Sequence, residues 1–119
     1  MLCLQSMAIR AALITGRHSF DVMGLYDALR TLDGILVYPQ HLEHFGSTPP
    51  EARRRYDVLV FYNFHQQTPA PNEPWYESGT MAAFEELGNG RQGIFVLHHG
   101  LVAFPEWPLW SEICGYFSL

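Results

Sequence analysis

The sequence contains no lysine, because all seven of its basic residues are arginines. Schiff-base chemistry and a Walker-type phosphate loop both need a lysine amine, so both are excluded for these 119 residues. Charged residues of either sign make up only 16%, and the net charge is −5 at pH 7. Since a nucleic-acid-binding surface normally needs a basic face, we expect no nucleic-acid partner.

Cysteine and long hydrophobic runs are also scarce. Cys3 and Cys114 are the only cysteines, and two of them in an acidic chain do not make a disulfide framework. We therefore expect reduced thiols and a cytoplasmic protein. No run approaches the roughly 18 apolar residues of a membrane span, and the N-terminus lacks the basic segment of a secretory signal. A membrane partner is not expected either.

What the sequence does contain is enough apolar residue, 48%, for a packed core. Short apolar runs predict buried strands at residues 8–15, 35–38, 57–62 and 93–97. Amphipathic segments predict helices at residues 22–32, 51–55, 81–87 and 108–114. Alternation of the two predicts an α/β fold and a parallel sheet with helices on both faces. If the strand order is 2-1-3-4, strands one, three and four are neighbours. One domain, residues 8–119, would follow a short N-terminal extension, residues 1–7.

The sequence also makes predictions about where the elements begin and end. Ser19 is expected to cap the first helix, and Pro39 to end the second strand. The triplet Arg53–Arg55 is expected to be a solvated helix end. Pro108 is expected to begin the last helix and Gly115 to end it.

Chemistry is expected at the carboxyl ends of the strands, because open α/β sheets bind ligands there. His18, Asn63 and His65 follow two of the predicted strands, and His98 and His99 follow the last. With neighbouring strands about 4.8 Å apart, His18, His65 and His98 would converge on one cleft. Convergent histidines favour acid–base catalysis or, as an alternative, a divalent metal. Since no typical ligand spacing and no obvious carboxylate accompany them, no cofactor or metal is expected.

Roles within the cleft follow from position. His98 and His99 come between a buried strand and Gly100, where a tight turn exposes side chains, and are the expected catalytic residues. His18, Asn63 and His65 are expected to bind substrate hydroxyls, and Trp107 to offer a stacking face, its alternative being a place in the core. His41 and His44 are expected to be ordinary surface residues, and the long loop 63–77 to be functional.

One segment resembles a known family. Residues 93–115, GIFVLHHGLVAFPEWPLWSEICG, are similar to the signature of the ThuA-like (trehalose utilisation) family, in which a strand ends in a His–His pair before a Trp–Pro-rich helix and a glycine. Residues 56–62 and 12–16 also fit its pattern. The resemblance implies a flavodoxin-like, doubly wound sheet like that of class I glutamine amidotransferases, and a place in the catabolism of trehalose or related glycosides and keto-glycosides.

The same resemblance argues against glutaminase activity. His98 stands two residues before Gly100, where the amidotransferases carry a nucleophilic cysteine, and Cys114 lies a helix later. Members of the family are longer than this chain, so the resemblance implies the N-terminal part of a domain, with the fourth strand as an uncovered edge that favours a homo-oligomer. The expected function is a sugar- or glycoside-processing enzyme with a small-molecule sugar substrate. The alternatives are a non-catalytic sugar-binding module, an interaction protein and an inactive truncated remnant.

Overall fold

The computed structural model describes residues 8–70 and 75–115. Four strands form one all-parallel sheet, as predicted, and their order is β2-β1-β3-β4, the one assumed in placing the histidines. They are β1 (Ile9–Gly16), β2 (Ile35–His41), β3 (Val58–Asn63) and β4 (Gly93–Val96). The helices are α1 (Val22–Arg30), α2 (Leu42–Ser47), α3 (Pro50–Arg53), α4 (Trp75–Glu85) and α5 (Pro108–Cys114), with short 3-10 helices at Leu87–Asn89 and His98–Val102.

The fold class is therefore confirmed: the protein is α/β, with a flavodoxin-like, doubly wound parallel sheet. Helices α2, α4 and α5 pack on one face of the sheet and enclose the core. Aromatic rings dominate this core, with Phe61 of β3 edge-on to both Phe84 and Trp110. The predicted extension, residues 1–7, lies outside the described residues, as do residues 71–74 of the long loop and residues 116–119.

The second face of the sheet is less covered. Helix α1 has no buried residue, although its apolar stripe predicted a core-facing side. Val60 of β3 pairs in register with Phe95 of β4, which is 56% exposed. This face therefore leaves apolar side chains in contact with solvent.

Two local predictions fail for backbone reasons. Asp21, not Ser19, caps α1, because its carboxylate accepts a hydrogen bond from the Gly24 amide at 2.9 Å. Strand β2 continues through Pro39 to His41. It tolerates the proline because it is an edge strand, paired with β1 alone among the described strands, and edge strands are where a sheet accommodates a residue without an N–H.

The arginine triplet is also different from its prediction. Arg53 is 5% exposed, because its guanidinium donates to the Thr48 carbonyl at 2.6 Å and pairs with Glu86 at 3.4 Å. Only Arg54 and Arg55 are solvated. The last helix is as predicted: Pro108 is its first residue, and Gly115 ends it in the left-handed conformation, with φ of 79°.

Candidate functional site

Backbone strain is concentrated at the carboxyl edge of the sheet. Among the described residues, three that are not glycine have left-handed backbones: Arg17 (φ 66°), His98 (φ 52°) and Phe104 (φ 46°). Arg17 follows β1 and His98 lies just after β4. Phe104 reaches the same edge, because its amide donates to the His65 carbonyl at 2.7 Å. Such strain persists where the surroundings enforce it, and it clusters at functional sites.

A cavity of about 650 Å³ lies at this edge. Its wall combines apolar faces with charged, amide and hydroxyl groups. The contributors are Arg17 after β1, Leu42 and Glu43 of α2, residues 64–70 after β3, Thr80 of α4, and Phe104. A pocket of mixed apolar and polar lining is the usual form of a small-molecule site.

Glu43 is the centre of the polar part of this wall. Its Oε1 lies 3.4 Å from Nη2 of Arg17 and 3.3 Å from Nε2 of His65. Its Oε2 is in contact with Nδ1 of His41 but has no hydrogen-bond partner of good geometry. The carboxyl group is 15% exposed. We call Glu43, Arg17, His41, His65 and Asn63 the Glu43 group.

Strand register explains how these side chains meet. His41 pairs with Thr15 across β2 and β1, and Asn63 pairs with Gly16 across β1 and β3. The strand ends therefore stand side by side, with Glu43 two residues beyond β2. A Cβ on Gly16, whose φ is 144°, would lie 2.6 Å from Cε1 of His65. Glycine at this position makes room for the imidazole.

Burial, hydrogen bonds and charged neighbours together determine the charge states of Glu43 and His65. Desolvation lowers the pKa of His65 to about 4, although the Glu43 carboxylate opposes this. Burial alone would raise the pKa of Glu43, but the hydrogen bond from its own backbone amide and the charges of His65 and His41 outweigh it and lower that pKa. Near neutral pH, Glu43 is therefore a carboxylate and His65 a neutral imidazole.

These charge states settle the tautomer of His65. A carboxylate only accepts hydrogen bonds, so Nε2 of His65 carries the proton and donates to Glu43. Nδ1 then accepts from Nδ2 of Asn63 at 3.3 Å. Asn63 is completely buried, and its Oδ1 has no hydrogen-bond partner. Asn63 and His65 thus orient the Glu43 carboxylate, and neither ring nitrogen of His65 is left free as a base.

The remaining predicted histidines form a second group, which we call the imidazole cluster: His18, His98 and His99. Nδ1 of His98 and Nδ1 of His99 are 2.8 Å apart, and the rings of His18 and His99 are 5.3 Å apart. Tyr62 of β3 packs edge-on against His18 at 4.7 Å. Phe64 links the two groups, because it lines the cavity and its ring lies 4.8 Å from that of His99.

The histidines that were predicted to converge on one cleft therefore lie in two separate groups. His18 and His98 meet through His99, whereas His65 belongs with Glu43 and His41. His41 is not the ordinary surface residue that we expected, since it contacts the Glu43 carboxylate. Within residues 8–70 and 75–115, no three histidine, cysteine or acidic side chains are arranged to hold a metal ion.

The position of Trp107 differs from the expected one, in which it offered a stacking face to the substrate. Its side chain is a core residue, 7% exposed, and its ring stacks on Phe84 at 5.1 Å with an interplanar angle of 11°. It offers no open stacking face, and the half-buried ring of Phe64 is the accessible aromatic part of the cavity wall instead. Trp110 lies in the core, as predicted, where its indole N–H donates to the Gly100 carbonyl at 2.9 Å.

The described residues supply no thiolate near the strand ends. Burial raises the pKa of the Cys114 thiol to about 11, so this group is protonated at neutral pH. Cys3, the other cysteine, lies outside the described residues.

Sequence reasoning did not recognise Glu43 and His41 as site residues for one reason. With β2 predicted to end at Pro39, residues 40–43 fell in a loop. Extending the strand to His41 places Glu43 at the sheet edge, opposite the residues that follow β1 and β3. Glu43 lies only two residues beyond the observed end of β2. Because Pro39 was expected to end the strand, this proximity could not be recognised from the sequence.

Comparison with known proteins adds no further constraint. No family model matches the chain, and neither a curated protein nor a solved structure matches it. None of the helices in the described ranges has the length and apolar character needed to cross a bilayer. The function must therefore be inferred from the site.

Proposed function

We propose that this chain is a ThuA-like protein of carbohydrate catabolism in the cytoplasm, which binds a sugar or glycoside in the Glu43 cavity and acts on it by acid–base chemistry. One observation carries the proposal: an ionised, oriented carboxylate stands in the wall of a cavity of about 650 Å³. Carboxylate, guanidinium and amide groups are the partners that sugar hydroxyls need, since each hydroxyl both donates and accepts. The half-buried ring of Phe64 suits the carbon side of a sugar ring.

The cavity favours chemistry with a single carboxylate. Glu43 is the one acid among the described lining residues, so the described part of the wall supplies no second carboxylate for a two-carboxylate glycosidase mechanism. Glu43 accepts a proton or binds a hydroxyl, while His65 and Asn63 hold it in place. His98 and His99 remain the proposed proton donors and acceptors, because their Nδ1–Nδ1 hydrogen bond already shares one proton.

Calorimetric titration with trehalose, glucose and a 3-keto-glucoside tests the proposal. Binding by the wild type and a loss of roughly tenfold or more in Glu43→Gln are expected, since the amide cannot replace a charge-assisted hydrogen bond. Glu51→Gln is the matched control, because Glu51 is an exposed acid on α3. Failure of the wild type to bind any of the sugars would contradict the proposal.

Product analysis separates the enzyme from the binding module. Turnover that disappears in the double variant His98→Ala, His99→Ala, with the fold retained, supports the proposed catalytic roles. Saturable sugar binding without any product supports the non-catalytic sugar-binding module, the main alternative.

A further inference from the structure

The imidazole cluster brings three imidazoles together with no acidic partner among the described residues. Both ring nitrogens of His18 face carbonyl oxygens, those of Ser19 at 3.3 Å and Tyr62 at 3.1 Å. A carbonyl only accepts, so each contact is a hydrogen bond only when the His18 nitrogen concerned carries the proton. No carboxylate forms an ion pair with His18, His98 or His99 within the described ranges.

Two nitrogens of the cluster are free to bind. The Nδ1–Nδ1 hydrogen bond between His98 and His99 needs one proton between the rings, so it uses one nitrogen of each. Neither Nε2 has a hydrogen-bond partner in the part of the chain that the structure describes. Partial burial lowers the pKa of His99, and the charges of His98 and His18 lower it further. A bound anion would relieve that repulsion.

The turn that carries His98 and His99 is fixed by the core. Trp110, fully buried, donates to the Gly100 carbonyl, and the Gly100 amide donates to the Leu97 carbonyl at 2.9 Å. A Cβ on Gly100 would lie 2.9 Å from the Phe61 carbonyl oxygen, so the backbone is pressed against β3. This support holds His98 in its left-handed conformation, and with it the positions of both imidazoles.

We propose that the imidazole cluster is a binding site for a tetrahedral oxyanion, and that the sugar bound in the neighbouring cavity is a phosphorylated one. The proposal of an anion site depends only on the imidazole cluster, whereas the proposal of a phosphorylated sugar rests on the proposed function. Phe64 borders both the cavity and His99, so a sugar in the cavity and its phosphate on the cluster would lie on the two sides of this ring. Besides the three histidines, Tyr62 is the one titratable side chain in ring contact with the described cluster.

Titration with inorganic phosphate and with sulfate tests the anion site, with the histidine ring signals followed by NMR at about pH 6 and about pH 8. Sulfate binding is expected to be roughly tenfold tighter at the lower pH, because an anion binds a protonated imidazole more tightly than a neutral one. Sulfate keeps its charge across this range, so its pH dependence reports the protein alone. His99→Gln is expected to weaken binding roughly tenfold, the loss of one charge-assisted hydrogen bond.

The matched control is His44→Gln, which removes an exposed histidine of α2 outside the cluster and should leave anion binding unchanged. His18→Gln serves as a second variant should His99→Gln fail to fold. Equal sulfate affinity at the two pH values, or equal affinity in wild type and cluster variants, would overturn the anion site.

Glucose 6-phosphate, compared with glucose and with inorganic phosphate, tests the sugar phosphate. Tighter binding of glucose 6-phosphate than of either part, weakened by both Glu43→Gln and His99→Gln, supports it. An affinity equal to that of phosphate, insensitive to Glu43→Gln, overturns the phosphorylated substrate but leaves the anion site intact. The proposed function is judged separately, by the neutral sugars.

Discussion

Two groups of histidines at one edge of the sheet behave in opposite ways. His65 is buried against a carboxylate and an amide, and desolvation lowers its pKa to about 4. His18, His98 and His99 lie together with no acid paired to them among the described residues, and a charge on His98 or His18 lowers the pKa of His99. Neighbours therefore decide what an imidazole can do: His65 holds Glu43 in position, whereas the imidazole cluster is available to an anion or a proton.

The largest expected effect concerns the support of the imidazole cluster. Trp110→Ala removes a fully buried indole and should lower the free energy of unfolding by about 3–5 kcal/mol, measured by urea denaturation. Trp110→Phe keeps an aromatic ring but loses the N–H that donates to Gly100. That variant should shift the NMR signals of His98 and His99 and leave those of His65 in place. An equal shift at His65 would show that the two groups are not separately supported.

The pH dependence of stability tests the other group. The pKa of His65 in the folded protein, about 4, is below its ordinary 6.5, so the unfolded chain binds more protons between these values. The free energy of unfolding should therefore fall as the pH is lowered from 6.5 to about 4, by at most about 3 kcal/mol. The pKa of Glu43 is also lowered in the folded protein, so protonation of this carboxylate at acid pH lowers the free energy of unfolding as well.

His65→Gln should flatten this dependence, since glutamine does not titrate, whereas His99→Gln should leave the contribution of His65 intact. Denaturant unfolding at a series of pH values measures the free energy of unfolding of each variant. An unchanged slope in His65→Gln would mean that His65 is not the buried neutral imidazole described above.

The smallest expected effect separates steric crowding from backbone strain. Gly16 and Gly34 both have positive φ, but a Cβ on Gly16 meets His65 and His41, whereas one on Gly34 meets nothing within 4 Å. Gly34→Ala should cost about 1 kcal/mol of stability from strain alone. Gly16→Ala should cost about 1–3 kcal/mol and displace the Glu43 group while sparing the imidazole cluster. Equal losses of stability in the two variants, with the NMR signals of His65 unshifted in Gly16→Ala, would contradict the close contact between position 16 and His65.

Much of the fold was predictable, because its signals are local. Apolar runs marked the strands, and Pro108 and Gly115 marked the ends of α5. The errors arose where a residue's role depends on distant partners. Pro39 is tolerated because β2 is an edge strand, and Arg53 is buried because α4 brings Glu86 to it.

The candidate site was predictable only in part. Position after a strand identified His18, Asn63, His65, His98 and His99 as residues of the carboxyl edge. Position did not separate them into two groups, because side-chain direction after a strand depends on turns such as the left-handed ones at Arg17 and His98. Trp107 was misplaced for a similar reason, since its place in the core follows from packing against Phe84.

The sequence by itself determined the α/β class, the parallel sheet, the edge that carries the polar side chains, and the exclusion of lysine chemistry. Periodicity and composition suffice for these, because each strand or helix buries its own apolar residues. Only the tertiary structure decided that Glu43 is an oriented carboxylate and that three imidazoles share an acid-free cluster. The physical reason is that charge state and hydrogen bonding depend on burial and on neighbours from other strands, which the order of residues along the chain does not fix.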